Sequence, residues 1–331
     1  SLSGADLAAC TFVGTMGDDG VYDEGYRMPS AMATALASVG FQVVNAATDH
    51  VLDRGVSGLV DTVTSISDEG LIVSGAYRSQ QNHSVFMADV HGIHVAFLSY
   101  TYGTGGVSLA EEPWCLDVFT TDYMTEQTTV DYDRIDSDIA AVRSAGADIV
   151  VCFLYWWDNT QYYTQPRAAQ TEVAERLFRD GADILIGGGG KTPQPIQTVT
   201  VEREDGSKAN CVACYSLSNL MSCFNDVYTN LSAVARIELS RDTDTGEVWV
   251  SGVRYRPLFM LDTDDYDGYE DPGYKYRLLD AYDAVGAYES GGTAISAETY
   301  DAILTGVADL REILGEEYDV NGGGAVLDYP Y

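Results

Sequence analysis

The chain has 331 residues, 46% of them hydrophobic, enough for a large core in one α/β domain with appendages. Its 18 basic and 51 acidic residues give a net charge of −33, a field that repels phosphate backbones and anionic lipid and so disfavours nucleic-acid binding and membrane contact. No stretch reaches the roughly 18 apolar residues of a membrane span; the longest apolar run, 149–157, suits one buried strand.

In chain order, the pattern predicts a helix over 30–39 closed by Gly40, a buried strand over 41–46, a helix over 57–66 and a strand opening at Leu71. Residues 84–90 and 93–100 alternate around His91-Gly92, a hairpin turn signal. Ile135, Ile139 and Val142 mark one buried face of a helix over 131–144. A central strand over 149–154, a helix over 167–179 and a strand over 184–186 running into glycines come next. Hairpins then replace βα units: 198–202 with 210–216 around Asp205-Gly206, and 233–239 with 248–255 around 242–246. This order fits a two-sheet α/β/β/α sandwich, assigned to residues 1–260. Residues 261–331 are expected to add an acidic loop and a C-terminal helical appendage over 296–314, packed on that domain or extending from it, with Ser296 as N-cap and Gly315 as stop. Its Ile303, Val307 and Leu310 stripe is assigned to packing, and the glycine-rich 321–324 is expected to be flexible.

Three chemical motifs fail on spacing. Residues 262–268 (DTDDYDG) resemble a calcium loop, but placing Gly268 at the required glycine puts Thr263 first and Tyr274 last, where Asp and a bidentate Glu belong. Gly190-Lys191-Thr192 ends like a phosphate-binding loop, yet Leu185 stands where its first glycine should be, and Pro193 and Pro195 prevent the helix that must follow. Cys211 and Cys214 have the spacing of a zinc pair but fall in a strand, where residues three apart point to opposite faces. The six cysteines are therefore read as structural, with one disulfide among Cys211, Cys214 and Cys223 left open.

Six segments carry a family resemblance. Residues 40–55 (GFQVVNAATDHVLDRG), 90–100 (VHGIHVAFLSY), 145–151 (AGADIVV), 155–157, 181–187 (GADILIG) and 214–219 (CYSLSN) resemble, in the same order, segments of the bacterial capsule-synthesis CapA, or poly-γ-glutamate, family. The resemblance covers roughly residues 10–280. It implies the fold of calcineurin-like metallophosphoesterases, in which carboxylate, Asn and His ligands at strand ends hold one or two metals. Carried over by position, that ligand set is mostly replaced. Asp49 and His50 stand at an Asn-His pair of the family, Tyr155 replaces a histidine and is followed by Trp156 and Trp157, and Gly188 to Lys191 replace a His-His-Pro-His loop. A zinc or iron site needs three or four converging ligands, so no cofactor and no tightly bound transition metal are expected.

Asp49 and His50 remain the catalytic candidates, His50 as a general acid or as a structural residue holding its loop. Gly187, Gly188, Gly189 and Gly190 are expected to turn backbone N–H groups toward an anion. Lys191 adds a positive charge, and Tyr155, Trp156 and Asn219 complete the ligand-binding set, with Trp157, Tyr162 and Tyr163 nearby. The favoured expectation is a cell-envelope protein that binds an anionic or hydroxyl-rich extracellular polymer without metal catalysis. The alternatives are an atypical hydrolase around Asp49 and His50, and a structural member of a capsule-assembly complex whose partners are other assembly proteins. The resemblance implies an extracellular or cell-surface location through a signal or anchor that this chain does not carry.

Overall fold

The computed structural model describes residues 2–20, 22, 26–82, 85–157, 162–221, 223–266 and 273–330. The expected strand start at Ser84 and the acidic-loop glycine Gly268 lie outside the described residues.

The N-terminal third builds one parallel layer. β1 (Ala9–Thr11) is followed by the short parallel pair β2 (Thr15–Met16) and β3 (Arg27–Met28), then by α1 (Ala31–Val39). Gly40 takes φ +100° and closes α1 in a left-handed cap, its N–H reaching Ala37 O at 3.0 Å. β4 (Val43–Asn45), α2 (Gly55–Asp68) and β5 (Ile72–Ser74) follow, and β1, β4 and β5 pair in parallel. Val44 packs with Ala33 and Ile66 of the two helices, whereas Val43 faces the opposite way into the main core.

The second layer is a six-stranded sheet. β6 (Phe86–Val90) and β7 (Ile93–Thr101) form the hairpin expected at His91-Gly92, and both turn residues take positive φ, 53° and 83°, as a two-residue type I′ turn requires. α3 (Tyr132–Ser144), β8 (Ile149–Tyr155), α4 (Ala168–Asp180) and β9 (Ile184–Gly188) supply the parallel crossovers. β10 (Pro193–Glu202) and β11 (Lys208–Leu217) form the next hairpin, giving the order β10-β11-β9-β8-β7-β6. All seven residues of β8 are buried because both faces of this sheet are covered. Leu98, Val150, Leu154 and Ala213 pack beneath Ile135, Ile139, Val173 and Leu177 of α3 and α4. Phe97, Val151, Ile184 and Val212 face the other sheets.

The remaining elements close that inner core. β12 (Leu231–Arg241), β13 (Val248–Asp262) and β14 (Tyr276–Asp280) form an antiparallel sheet, followed by α5 (Ala281–Glu289), α6 (Ala297–Leu314) and β15 (Ala325–Val326), which pairs with β13. Ile303, Val307, Leu310 and Leu314 of α6 share one core with Phe97, Val212, Val253 and Phe259. The expected boundary at 260/261 falls inside β13, and of the two arrangements left open for the residues beyond it, α6 takes the packed one and shares the core. Ser296 caps α6 by accepting from Thr299 N at 3.1 Å. The glycine-rich end is held, contrary to the expectation of a loose tail: the fully buried Asp319 accepts from Arg311 Nε at 2.7 Å and from Asn321 N at 2.8 Å, fixing the turn Val320–Gly322.

No cysteine is bridged. Cys211 lies among the residues under α4 and Cys214 on the opposite face, as a strand dictates. Burial pushes the thiols of Cys10, Cys152, Cys211 and Cys214 up to about 12 and that of Cys115 to about 11. Cys223 alone is exposed. A thiol reagent at pH 8 should therefore modify one cysteine rapidly in the native protein and six after denaturation. Because the folded-state values are raised, the stability these thiols contribute is fully present below about pH 8.5 and is lost as pH rises through 11 to 12. A denaturation midpoint unchanged between pH 8 and pH 11 would contradict this.

Candidate binding site

β1, β4 and β5 run parallel in one sheet, and β7, β8, β9 and β11 run parallel in the other. Ligand crevices in such sheets lie beyond the carboxyl ends of the strands. Those ends bring together Asp49 and His50 after β4, Tyr102 after β7, Trp156, Trp157, Tyr162 and Tyr163 after β8, Gly189 to Lys191 after β9, and Ser218, Asn219, Cys223 and Phe224 after β11.

Asp49 opens a short turn, Asp49–Leu52, and its buried carboxylate accepts from Tyr102 OH at 2.9 Å. His50, with about a third of its side chain exposed, places Nδ1 2.9 Å from Asp53 Oδ2 and Nε2 3.8 Å from Asp49 Oδ2. The Tyr26 ring lies on the imidazole with centroids 3.8 Å apart. Burial raises the Tyr26 phenol above its ordinary value, helped by the charges of Asp49 and Asp53 and by Cys223 and Tyr162 close by. From Asp49 the contacts run on through Tyr102, whose ring stacks on Tyr155 with centroids 6.4 Å apart, to Gly189, where an added Cβ would lie 3.4 Å from the Tyr155 ring. Asp49, His50, Tyr155 and the glycine loop thus lie on one connected surface, although up to 140 residues separate them in sequence.

The glycines do not form the expected anion cradle. Gly187 and Gly188 are the last residues of β9 and pair with Leu154 and Tyr155, so their backbone is extended and committed to the ladder. Gly189 alone of the four has positive φ, +82°. Close packing accounts for two of the others: an added Cβ at Gly187 would lie 2.1 Å from Trp156 Nε1 and 2.0 Å from Tyr215 O, and at Gly190 2.4 Å from Ser216 Oγ.

The aromatics divide into two groups. Trp156 is 1% exposed and donates from Nε1 to Tyr215 O at 2.8 Å, while Phe119 and Trp157 cover its ring. It is a core residue and offers no face to a ligand, in contrast to its expected stacking role. Tyr155 is likewise buried and acts through Tyr102 and the loop. Tyr162 and Tyr163 are half exposed, and Thr192 Oγ1 and Gln194 Nε2 anchor their segment by donating to Tyr163 O at 3.1 and 2.9 Å.

Lys191 is half-buried, its Nζ 3.4 Å from Tyr162 OH, 5.1 Å from the Tyr162 ring centre and 4.2 Å from that of Phe224. Asn219 is half-buried just beyond Ser218, whose hydroxyl donates to Lys191 O at 3.0 Å. Tyr26, Tyr102 and Phe224 are site residues that sequence reading missed. Phe224 stands in an irregular segment with no periodicity to mark it, and Tyr102 is the second residue beyond a strand end recognised at Tyr100.

A resident metal does not fit this donor set. One oxygen of Asp49 takes the Tyr102 hydroxyl and His50 Nδ1 lies against Asp53, which leaves Nε2 as the imidazole's one atom for a metal; two such residues fall short of the three or four ligands a zinc or iron site needs. Among the described residues no group of three or more His, Cys, Asp or Glu side chains is placed to hold a metal ion.

Residues 1–223 match the family described as "Bacterial capsule synthesis protein PGA_cap". The chain is 26% identical over 214 residues to the capsule biosynthesis protein CapA of Bacillus anthracis, covering 64% of this chain and 47% of that protein. It is 24% identical over 213 residues to the PGA biosynthesis protein CapA of Bacillus subtilis, covering 62% and 49%. A probable polyglutamine synthesis accessory protein of Mycobacterium tuberculosis is 28% identical over 177 residues, covering 52% and 45%. The chain thus spans about half the length of the relatives it matches. Among solved structures, a 5'-nucleotidase precursor of Thermus thermophilus aligns with a TM-score of 0.41 at 11% identity, covering 69% of this chain and 41% of that one. A yellow lupin purple acid phosphatase gives 0.32 at 10%, covering 75% and 53%. The layers and strand order of the chain itself, not these likenesses, carry the fold.

Proposed function

Because the chain belongs to the bacterial capsule synthesis protein PGA_cap family, we propose that it serves capsule synthesis at the cell surface by binding an anionic or hydroxyl-rich polymer, without metal-dependent hydrolysis. The observation that carries this reading is Lys191. In a chain with 51 acidic and 18 basic residues, its ammonium sits in the crevice against two aromatic rings, with no carboxylate partner among the described residues. Attraction for an anion is therefore local, and the distant carboxylates oppose it. Salt at a Debye length of about 8 Å mutes the distant charges more than the contact.

Affinity for an acidic polymer is accordingly expected to hold or rise from very low to physiological salt, the reverse of binding through a broad basic patch. Lys191→Ala should weaken it about ten-fold or more. Titration of wild type and variant with polymer fragments checks both, and binding unaffected by the substitution would remove Lys191 from the site. Stoichiometric zinc, manganese or iron retained after dialysis without chelator would overturn the metal-free part.

A second reading draws on the His50 to Asp53 contact of 2.9 Å, a geometry in which a carboxylate orients an imidazole for proton transfer. Cleavage of a polymer or phosphoester that disappears in His50→Ala while binding persists would favour this hydrolase reading.

A further inference from the structure

Asp180, the last residue of α4, stands at the amino end of β9, the far end of the sheet from the crevice. Arg176, one turn earlier, donates from Nε to Asp180 Oδ2 and from Nη2 to Asp136 Oδ2 of α3, the latter at 3.0 Å. These two N–H groups share one edge of the guanidinium, the edge that ordinarily takes both oxygens of a single carboxylate. Two carboxylates divide it here, which brings their oxygens within hydrogen-bonding reach of each other. Asp136 Oδ1 is buried and accepts from no donor among the described residues, and the Asp180 side chain is 10% exposed. One guanidinium balances one of the two charges, and water screens the other only in part.

We infer that Asp136 and Asp180 share one proton in mildly acidic surroundings and, with Arg176, form a pH-sensitive clasp between α3 and α4. A proton held between the oxygens supplies the missing donor and leaves the trio neutral; its loss leaves one net negative charge and two carboxylates that repel. Burial and the hydrogen bond with Asp180 raise the Asp136 carboxyl above its ordinary value, while Arg176 opposes them. From α3, the Tyr132 ring centre lies 5.6 Å from the Arg176 guanidinium carbon, and Glu172 of α4 lies near that ring. Beside Arg176 and Asp180, a depression of about 240 Å³ is lined also by Arg179, Glu202, Arg203 and Glu204. Arg179 is paired with Glu175 at 3.4 Å and Arg203 with Asp183 at 2.7 Å, so Glu172, Glu202 and Glu204 tip the surroundings toward negative charge and favour the proton. The depression is open to solvent, because Arg176, Arg179, Glu202 and Glu204 are exposed, and the proton can exchange. The folded pair holds this proton where the separate carboxylates of an unfolded chain release it near pH 4. The stability it contributes is therefore fully present below about pH 4 and is lost as pH rises through the raised value of the pair.

The test combines thermal melts of the full chain between pH 4.5 and pH 8 with a carboxyl-carbon NMR titration. Asp136→Asn keeps the shape, offers an N–H to Asp180 and carries no charge, so it holds the clasp closed throughout. Between the two ends of the range, the wild-type midpoint should fall by about 2 °C or more relative to that of Asp136→Asn. Asp133→Asn, which removes an exposed carboxylate of the same helix, should show no such drift against wild type. In the titration, wild-type Asp136 should lose its proton above the ordinary aspartate range, and in Asp180→Asn its midpoint should drop by about one pH unit. An Asp136 midpoint in the ordinary range in wild type overturns the shared proton. A raised midpoint that persists in Asp180→Asn shows that burial alone holds the proton, and overturns the pair. A wild-type melting difference from Asp136→Asn that stays constant across the range overturns the clasp.

Discussion

Gly187→Ala is expected to destabilise the protein by about 3 kcal/mol or more, or to prevent folding, through overpacking at a site with no room to relax. An added Cβ would lie 2.0 Å from Tyr215 O and 2.1 Å from Trp156 Nε1. Neither atom is the loose end of a flexible side chain. The carbonyl belongs to β11, and the indole is 1% exposed and bonded to that same carbonyl. Gly286→Ala provides the control with opposite sign. Gly286 is exposed in α5, and nothing lies within 4 Å of its added Cβ; alanine there should stabilise by roughly 0.5 to 1 kcal/mol through helix propensity. Denaturant midpoints of the two variants should move in opposite directions. A Gly187→Ala midpoint within error of wild type would mean that Trp156 does not occupy this position.

The second large effect concerns charge. Asp183, 5% exposed, accepts from Arg143 Nη2 at 2.5 Å, Arg203 Nη2 at 2.7 Å and Val150 N at 2.7 Å. The two guanidiniums also reach the carbonyls of Gly181 and Ala182 at the end of α4, so one carboxylate locks a helix end to the central sheet. Asp183→Ala leaves two partly buried cations and a strand N–H unmatched, and should cost about 3 to 5 kcal/mol. Asp183→Asn keeps the shape and one acceptor, and should cost less. Thermal melts of the two variants rank them, and equal losses would show that shape rather than charge sets the penalty.

Much of the fold was legible because its signals are local. The His91-Gly92 turn, the Gly40 cap and the Ser296 cap each follow from residues within a few positions of one another. The βα order was likewise readable, since β8 is an apolar run and α3 repeats its apolar face. The misreadings share a cause in distance along the chain. Trp156 looked like a loop aromatic because what buries it, Phe119 and Tyr215, lies 37 and 59 residues away. Residues 101–131 carried no periodic pattern, yet they supply Tyr102 under Asp49 and Phe119 over Trp156. The glycines suggested freedom. In the fold, two of them, Gly187 and Gly190, mark places where other atoms come too close for a side chain, a fact set by Trp156, Tyr215 and Ser216 rather than by the loop itself.

That crowding limits what the glycine loop can become. Restoring the histidines of the loop it resembles would begin at Gly188, where a Cβ would lie 3.2 Å from the Tyr155 ring, a contact that a small adjustment relieves. The next step meets φ +82° at Gly189 with Trp156 O 3.0 Å from the Cβ, and any residue at Gly190 meets Ser216 Oγ at 2.4 Å. A proline there collides before its ring is even considered. Single replacements at Gly189 or Gly190 are therefore expected to destabilise the protein unless the packing around Trp156 and Ser216 is reshaped first. Packing of this kind acts as a ratchet: with Trp156, Tyr215 and Ser216 seated against the loop, selection on stability alone keeps glycine at 187 and 190.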